Sequence, residues 1–182
     1  MKKAIFLDRD GTIIKDRGYI DRSEKVLFYD FTFECLRQLQ KSFLLFIVTN
    51  QSGISKGLIR KKGVDEVHSY ILQRMRCNGV RIADIYCCPH RNEDNCACKK
   101  PKTYFIDKAV RSYGVDVSAS YVIGDHPSDA ELAVNANANG IYVLTGHGRR
   151  HYGELGPGLK SRIRICRNLA SVARGIIRNE SS

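Results

Sequence analysis

Two aspartates one residue apart, Asp8 and Asp10, follow the apolar run Ala4-Ile5-Phe6-Leu7 and precede Gly11 and Thr12. Alternation along an extended chain sends both carboxylates to the same side, and the glycine lets the backbone turn away without a Cβ clash. Carboxylates so close repel unless a cation or a shared proton offsets them. The pair therefore suits a hard cation such as Mg²⁺, with one carboxylate left to attack an electrophile or to carry a proton.

Three further groups could do chemistry. Thr49-Asn50-Gln51-Ser52-Gly53 follows the apolar run from Phe43 to Val48 and offers hydroxyls, amides and a flexible glycine suited to phosphate oxygens. Gly124-Asp125 follows Tyr121-Val122-Ile123 and brings a third carboxylate to the end of an apolar run, with Asp129 close behind. Cys88-Pro89-His90 and Cys96-Ala97-Cys98 place three thiols and an imidazole within eleven positions. Tetrahedral zinc takes this ligand set, and four protein ligands make the site structural rather than catalytic. Cys87 is an alternative to Cys88, although it reads more naturally as part of a strand. Lys99, Lys100 and Lys102 come directly after the cluster, so zinc would pin them, and a lysine held rigidly there can neutralise a phosphoryl group.

The elements that must position these groups alternate. Strands are expected at Ala4–Leu7, Phe43–Val48, Ile82–Tyr86, Tyr121–Ile123 and Ile141–Leu144, with a short extra one at Ile163–Cys166. Helical spacing of apolar residues predicts helices over Thr32–Lys41, from Val64 to about Cys77, over Thr103–Tyr113, from about Asp129 with Ser128 as its cap, and over Leu169–Ile177. Unbroken alternation implies an α/β fold, a three-layer Rossmann-like parallel sheet flanked by helices. A single domain over 1–182 is expected, with a zinc loop at 87–100, a basic segment at 147–182 and no large cap domain. Each polar run alone could be a solvated turn. Polar runs after strand upon strand fall where open α/β sheets bind ligands, which independent turns do not explain.

Composition narrows the class. A chain of 182 residues with 43% hydrophobic content can bury a real core. No apolar run approaches the length of a bilayer span, so a soluble cytoplasmic protein, expected to be a monomer with no membrane partner, is the default. The net charge of +11 attracts anions, either phosphorylated metabolites or nucleic acid. Its late excess (Arg149, Arg150, Lys160, Arg162, Arg164, Arg167, Arg174, Arg178) reads as a solvated cationic face. Of seven cysteines, Cys35, Cys77 and Cys166 are scattered and read as small hydrophobes.

Asp8-Arg9-Asp10-Gly11-Thr12, Thr49, Lys100 and Gly124-Asp125 with Asp129 resemble, in order, the four motifs of the haloacid dehalogenase superfamily, over residues 4 to 145. With Asp16-Arg17-Gly18-Tyr19, Thr49 to Ile54 and the Cys/His cluster, the chain resembles that superfamily's sugar bisphosphate phosphatases. The resemblance implies Asp8 as nucleophile, Asp10 as acid and base, and Thr49 and Lys100 as ligands of the transferring group. It also implies Mg²⁺ held by Asp8, the backbone carbonyl of Asp10 and Asp125, with Asp129 positioning Lys100. Substrate contacts are expected from Asp16, Arg17, Gly18 and Tyr19, from Asn50, Gln51 and Ser52, and from Lys99. Lys99 stands where arginine is usual among close members, and His126 where lysine is common.

Three alternatives remain open from residues alone. A histidinol-phosphate phosphatase shares the scaffold and the zinc loop, but usually carries Asn-Gln-Asp-Gly where this chain has Asn50-Gln51-Ser52-Gly53. A polynucleotide 3′-phosphatase is favoured by net charge. A zinc-stabilised nucleic-acid-binding module would make the aspartates incidental.

Overall fold

A computed structural model describes residues 1–180. Six strands form one parallel sheet: β1 (Ala4–Leu7), β2 (Leu44–Asn50), β3 (Asp84–Cys88), β4 (Tyr121–Gly124), β5 (Asn139–Val143) and β6 (Ile163–Cys166). Their spatial order is β3-β2-β1-β4-β5-β6. The helices are α1 (Thr32–Leu39), α2 (Lys61–Cys77), α3 (Tyr104–Tyr113), α4 (Pro127–Asn135), the one-turn α5 (Pro157–Lys160) and α6 (Leu169–Glu180).

The sheet is the middle of three layers because its central strands are apolar on both faces. Ile5 and Leu7 of β1 pack with Leu45, Ile47, Ile123 and Ile141 against Leu36 and Leu39 of α1, Val67 and Ile71 of α2, and Val172 and Ile176 of α6. Ala4 and Phe6 turn the other way, joining Phe46, Val48 and Val122 against Ile106 and Ala109 of α3 and Leu132 and Ala133 of α4. Burial of this kind contributes about 25 cal/mol per Å² of apolar surface. All four residues of β1 are fully buried, so its end is the most firmly fixed point from which to hang a functional side chain.

Leu7 pairs in register with Ile47 and Ile123, and Asn50 pairs with Cys88. One edge of the sheet therefore carries Asp8, Thr49, Asn50, Cys88 and Asp125. Among the described residues no separate cap domain is inserted, and no helix is long and apolar enough to cross a membrane.

Two local expectations are corrected. The third strand is Asp84–Cys88 rather than Ile82–Tyr86, so both Cys87 and Cys88 lie within it. The cap of α4 is His126 and not Ser128: the helix begins at Pro127, and the imidazole accepts from the Ser128 N–H while Asp129 accepts from the His126 N–H. Within the basic segment after β5, α5 and the short 3-10 turn Tyr152–Glu154 bury Leu155 beside Tyr142.

Candidate active site

Lys100 is brought to the end of β1 by two bonds to Asn50, whose side chain accepts from the Lys100 N–H at 3.1 Å and donates to its carbonyl at 3.3 Å. The ammonium then donates to Asp8 and to Asp129, each at 2.6 Å, and to the Val48 carbonyl at 3.0 Å. Burial alone would discharge this lysine, but the charges of Asp129 and Asp8 outweigh it and raise its pKa. Lys100 therefore stays cationic at neutral pH.

Asp8, Asp125 and Asp129 place carboxylate oxygens within 4.8 Å of one another. Lys100 engages Oδ1 of both Asp129 and Asp8, leaving the second oxygen of Asp8 and the carboxylate of Asp125 open to a cation. Burial, then the charges of Asp8 and Asp129, push Asp125 up to about 9, so the cluster lacks positive charge for all its carboxylates to ionise at neutral pH. A divalent ion would supply it, and the donor set of hard oxygens fits Mg²⁺. The backbone makes room for the Asp125 carboxylate: a Cβ at Gly11 would come within 2.0 Å of Asp125 Oδ2, and one at Gly146 within 2.2 Å. Both glycines also hold positive φ, +80° and +52°, which favours glycine further. The His147 N–H donates to the same Asp125 oxygen at 2.7 Å.

Asp10 lies in the same cavity as Asp8. Its Oδ2 accepts from the Nε of Arg9 and from Nε2 of Gln51, both at 2.9 Å. Burial raises its pKa and the Asp8 charge adds to this, while Arg9 opposes. Gln51 also donates to Thr49 at 2.8 Å, holding the hydroxyl of that buried residue.

The cysteine cluster is assembled at the end of β3. Cys88 Sγ lies 3.6 Å from both Cys96 Sγ and His90 Nδ1, and Cys98 Sγ lies 3.4 Å from His90 Nδ1 and 3.8 Å from Cys96 Sγ. A tetrahedron with zinc bonds of about 2.0–2.3 Å has edges of about 3.5–3.8 Å. The four residues fit zinc on this measure, and Cys87 is not among them.

The cavity over this edge has a volume of about 520 Å³. Of the residues expected at the site, Asp8, Asp10, Asp16, Thr49, Asn50, Ser52, Lys99, Lys100 and Asp125 line it. Arg17, Gly18, Tyr19 and Gln51 do not. Arg17 and Gly18 are exposed on the loop after β1, Tyr19 rests against Gly53, and Gln51 lies beneath the site, bonded to Asp10. Asp129 sits behind Lys100. The cavity is also lined by His126, Ser128, His147 and His151, and by Asn92 of the zinc loop. His147 Nε2 lies 2.5 Å from an oxygen of Asp16, and its Nδ1 lies 3.3 Å from His151 Nε2. The signal that could have found His147 is its place in Gly146-His147-Gly148, just past another strand's carboxyl end.

Comparison with known proteins supplies a family for this geometry. A HAD-hydrolase-like family model matches residues 97–170. The chain is 37% identical over 145 residues to a D-glycero-beta-D-manno-heptose-1,7-bisphosphate 7-phosphatase of Helicobacter pylori, covering 79% of this chain and 83% of that protein. It is 39% identical over 143 residues to a D-glycero-alpha-D-manno-heptose-1,7-bisphosphate 7-phosphatase of Campylobacter jejuni, covering 78% and 82%. A crystal structure of D,D-heptose 1,7-bisphosphate phosphatase from B. bronchiseptica, complexed with magnesium and phosphate, superposes with a TM-score of 0.89 at 28% identity, covering 97% of this chain and 99% of that one. The chain belongs to the haloacid dehalogenase-like hydrolases and is a phosphoric monoester hydrolase.

Proposed function

We propose that this hydrolase removes the C7 phosphate of D-glycero-D-manno-heptose 1,7-bisphosphate through an aspartyl-phosphate on Asp8, in a Mg²⁺-dependent reaction. The observation that carries the reaction class is the Lys100 ammonium, 2.6 Å from Asp8, in the cavity that also holds Asp10 and Asp125. The names of the relatives above support the choice of sugar.

In the first half-reaction an oxygen of Asp8 forms a bond to phosphorus as the bond from phosphorus to the C7 oxygen breaks. Asp10 gives that oxygen a proton, because an alkoxide leaves badly without one. In the second half-reaction water attacks the phosphorus of the aspartyl-phosphate, Asp10 takes the water's proton, and Asp8 is regenerated. Lys100 and Thr49 hold the phosphoryl oxygens as charge redistributes among them. Asp8, the Asp10 carbonyl and Asp125 would hold Mg²⁺, whose charge would screen the phosphate from the approaching carboxylate. Cys88, His90, Cys96 and Cys98 would hold zinc, which would pin the segment that ends in Lys99 and Lys100. Asp16, Asn50, Ser52 and Lys99 face the sugar and its second phosphate, which the cavity has room to admit.

The test is phosphate release from the heptose bisphosphate, histidinol phosphate and a 3′-phosphorylated oligonucleotide, each with and without Mg²⁺. The proposal predicts kcat/KM at least ~100-fold higher for the bisphosphate, a discrimination of roughly 3 kcal/mol. A preference for either other substrate contradicts it.

A further inference from the structure

The chain that leaves β5 makes one helical turn, in which the His151 N–H donates to the His147 carbonyl at 3.0 Å. Residues four apart on such a turn face the same way. Here they are two histidines, and both line the cavity. The phosphatase chemistry above uses neither ring. The pair is also separate from the carboxylate cluster of Asp8, Asp125 and Asp129 and from the cluster at the end of β3.

Each ring is held from its outer side by a carboxylate. His147 Nε2 lies 2.5 Å from Asp16 Oδ2, and His151 Nδ1 lies 2.5 Å from Glu154 Oε1. An ionised carboxylate only accepts, so these are the nitrogens that donate. The remaining two, His147 Nδ1 and His151 Nε2, face each other across 3.3 Å. Two lone pairs at that range repel unless something positive lies between them. Two imidazoles bound to one zinc ion, with bonds of about 2.0–2.1 Å at the tetrahedral angle, hold their nitrogens about 3.3–3.4 Å apart. A carboxylate behind the ring is also the usual support of a metal-bound histidine, because it fixes the tautomer and makes the ligating nitrogen more basic. Both rings have one. His126 stands near, its ring 5.2 Å from that of His151, but its Nδ1 is taken by the Ser128 N–H.

We propose that His147 Nδ1 and His151 Nε2 form a further metal site, for a borderline transition-metal ion such as Zn²⁺, with Asp16 and Glu154 as the carboxylates that orient the two ligands. Imidazole suits ions of this class, whereas Mg²⁺ takes hard oxygens. Two histidines at this spacing on one helical face are a recurrent zinc-binding pair. Two protein ligands leave two tetrahedral positions, which water or an oxygen of a molecule in the cavity fills. The side chain of His147 is 41% exposed, so an ion can reach the pair from solvent. Zinc held here exchanges, unlike zinc enclosed by four protein ligands.

The test is calorimetric titration of the full chain with Zn²⁺, the cysteine cluster already loaded with zinc and Mg²⁺ in excess to fill the carboxylate cluster. The wild-type protein should bind about one further zinc per chain. His151→Ala removes one of the two ligands and should weaken that binding at least ~100-fold, more than the loss of a supporting carboxylate costs. Glu154→Ala keeps both ligands and removes the support of one, for which roughly 10- to 100-fold weaker binding is expected. The Glu154 side chain is 59% exposed, so this variant carries the test should His151→Ala not fold. No further zinc in the wild-type protein would overturn the proposal. Unchanged affinity in either folded variant would do the same, since the ion would then sit elsewhere. None of these readouts depends on phosphate release, so the site can fail while the phosphatase reading stands.

Discussion

The ammonium of Lys100 and the carboxylate of Asp129 form an ion pair of 2.6 Å between side chains that are only 4% and 3% exposed. Both charges are almost closed off from water, so Asp129 depends on Lys100, and Lys100 on Asp129 and Asp8 together. Lys100→Ala should lower unfolding free energy by about 3–5 kcal/mol, the usual result of leaving a buried charge unpaired. Adding Asp129→Asn should restore part of that loss, since it removes the orphaned carboxylate. Urea unfolding of the two single variants and the double variant measures the coupling. Strict additivity would mean that the pair is not coupled.

Magnesium binding should tighten as pH rises. Burial, Asp8 and Asp129 raise Asp125 from 3.8 to about 9, so below that value the metal-free cluster holds a proton that a cation must displace. Affinity is expected to climb by about tenfold per pH unit below that value for one displaced proton. The sign for stability is opposite. A folded-state pKa above the unfolded one means that the metal-free protein is stabilised at low pH and loses that contribution as pH rises from about 4 to about 9. Mg²⁺ should reverse the loss. Calorimetric titrations at pH 6.5 and 8.5, in buffers of different ionisation heat, test both affinity and proton release. A pH-independent affinity speaks against the assignment.

Acid should weaken the fold through His68. Its pKa is lowered from 6.5 to about 4, chiefly by burial, so the unfolded chain binds the extra proton more readily. Stability is expected to fall as pH drops through that window, by at most roughly 3 kcal/mol from this residue. In His68→Gln that part of the acid limb should flatten. An identical pH–stability curve for the variant counts against a buried neutral histidine.

Zinc removal should loosen the segment that ends in the active-site lysine. Cys98 immediately precedes Lys99 and Lys100, and the Lys99 ammonium donates to the His90 carbonyl at 3.1 Å. Metal analysis should give about one zinc per chain. Chelation should abolish amide protection over residues 96–102 and reduce turnover at least ~10-fold. Unchanged exchange and full activity after complete metal loss would show that the four ligands do not pin the segment.

How much of this was legible in the sequence depends on where the causes lie. The sheet was legible because strands buried on both faces must be continuously apolar, as Phe43 to Val48 is. The cluster at Cys88, His90, Cys96 and Cys98 was legible because its donors are close in sequence. The pairing of Lys100 with Asp129 was reached only through family resemblance and its pairing with Asp8 was not anticipated, since spans of 29 and 92 residues leave no local trace. Other features lay beyond either route. Gln51 reads like its neighbours Asn50 and Ser52, yet strand alternation and burial turn it beneath the site toward Asp10. The histidine wall of His126, His147 and His151 comes from two connections that only the β4–β5 pairing brings together. The His126 cap was hidden because Ser128 has the stronger intrinsic capping preference, and the arrangement won because Asp129 accepts the His126 N–H in return.

The central claim is that Asp8 is the nucleophile, and the most direct measurement is phosphate release by Asp8→Asn with the fold monitored by circular dichroism. An amide can replace the carboxylate in shape but attacks phosphorus far more weakly. The account predicts an unchanged spectrum and turnover reduced by at least ~10⁴-fold. Turnover at the wild-type rate in the folded variant would contradict it.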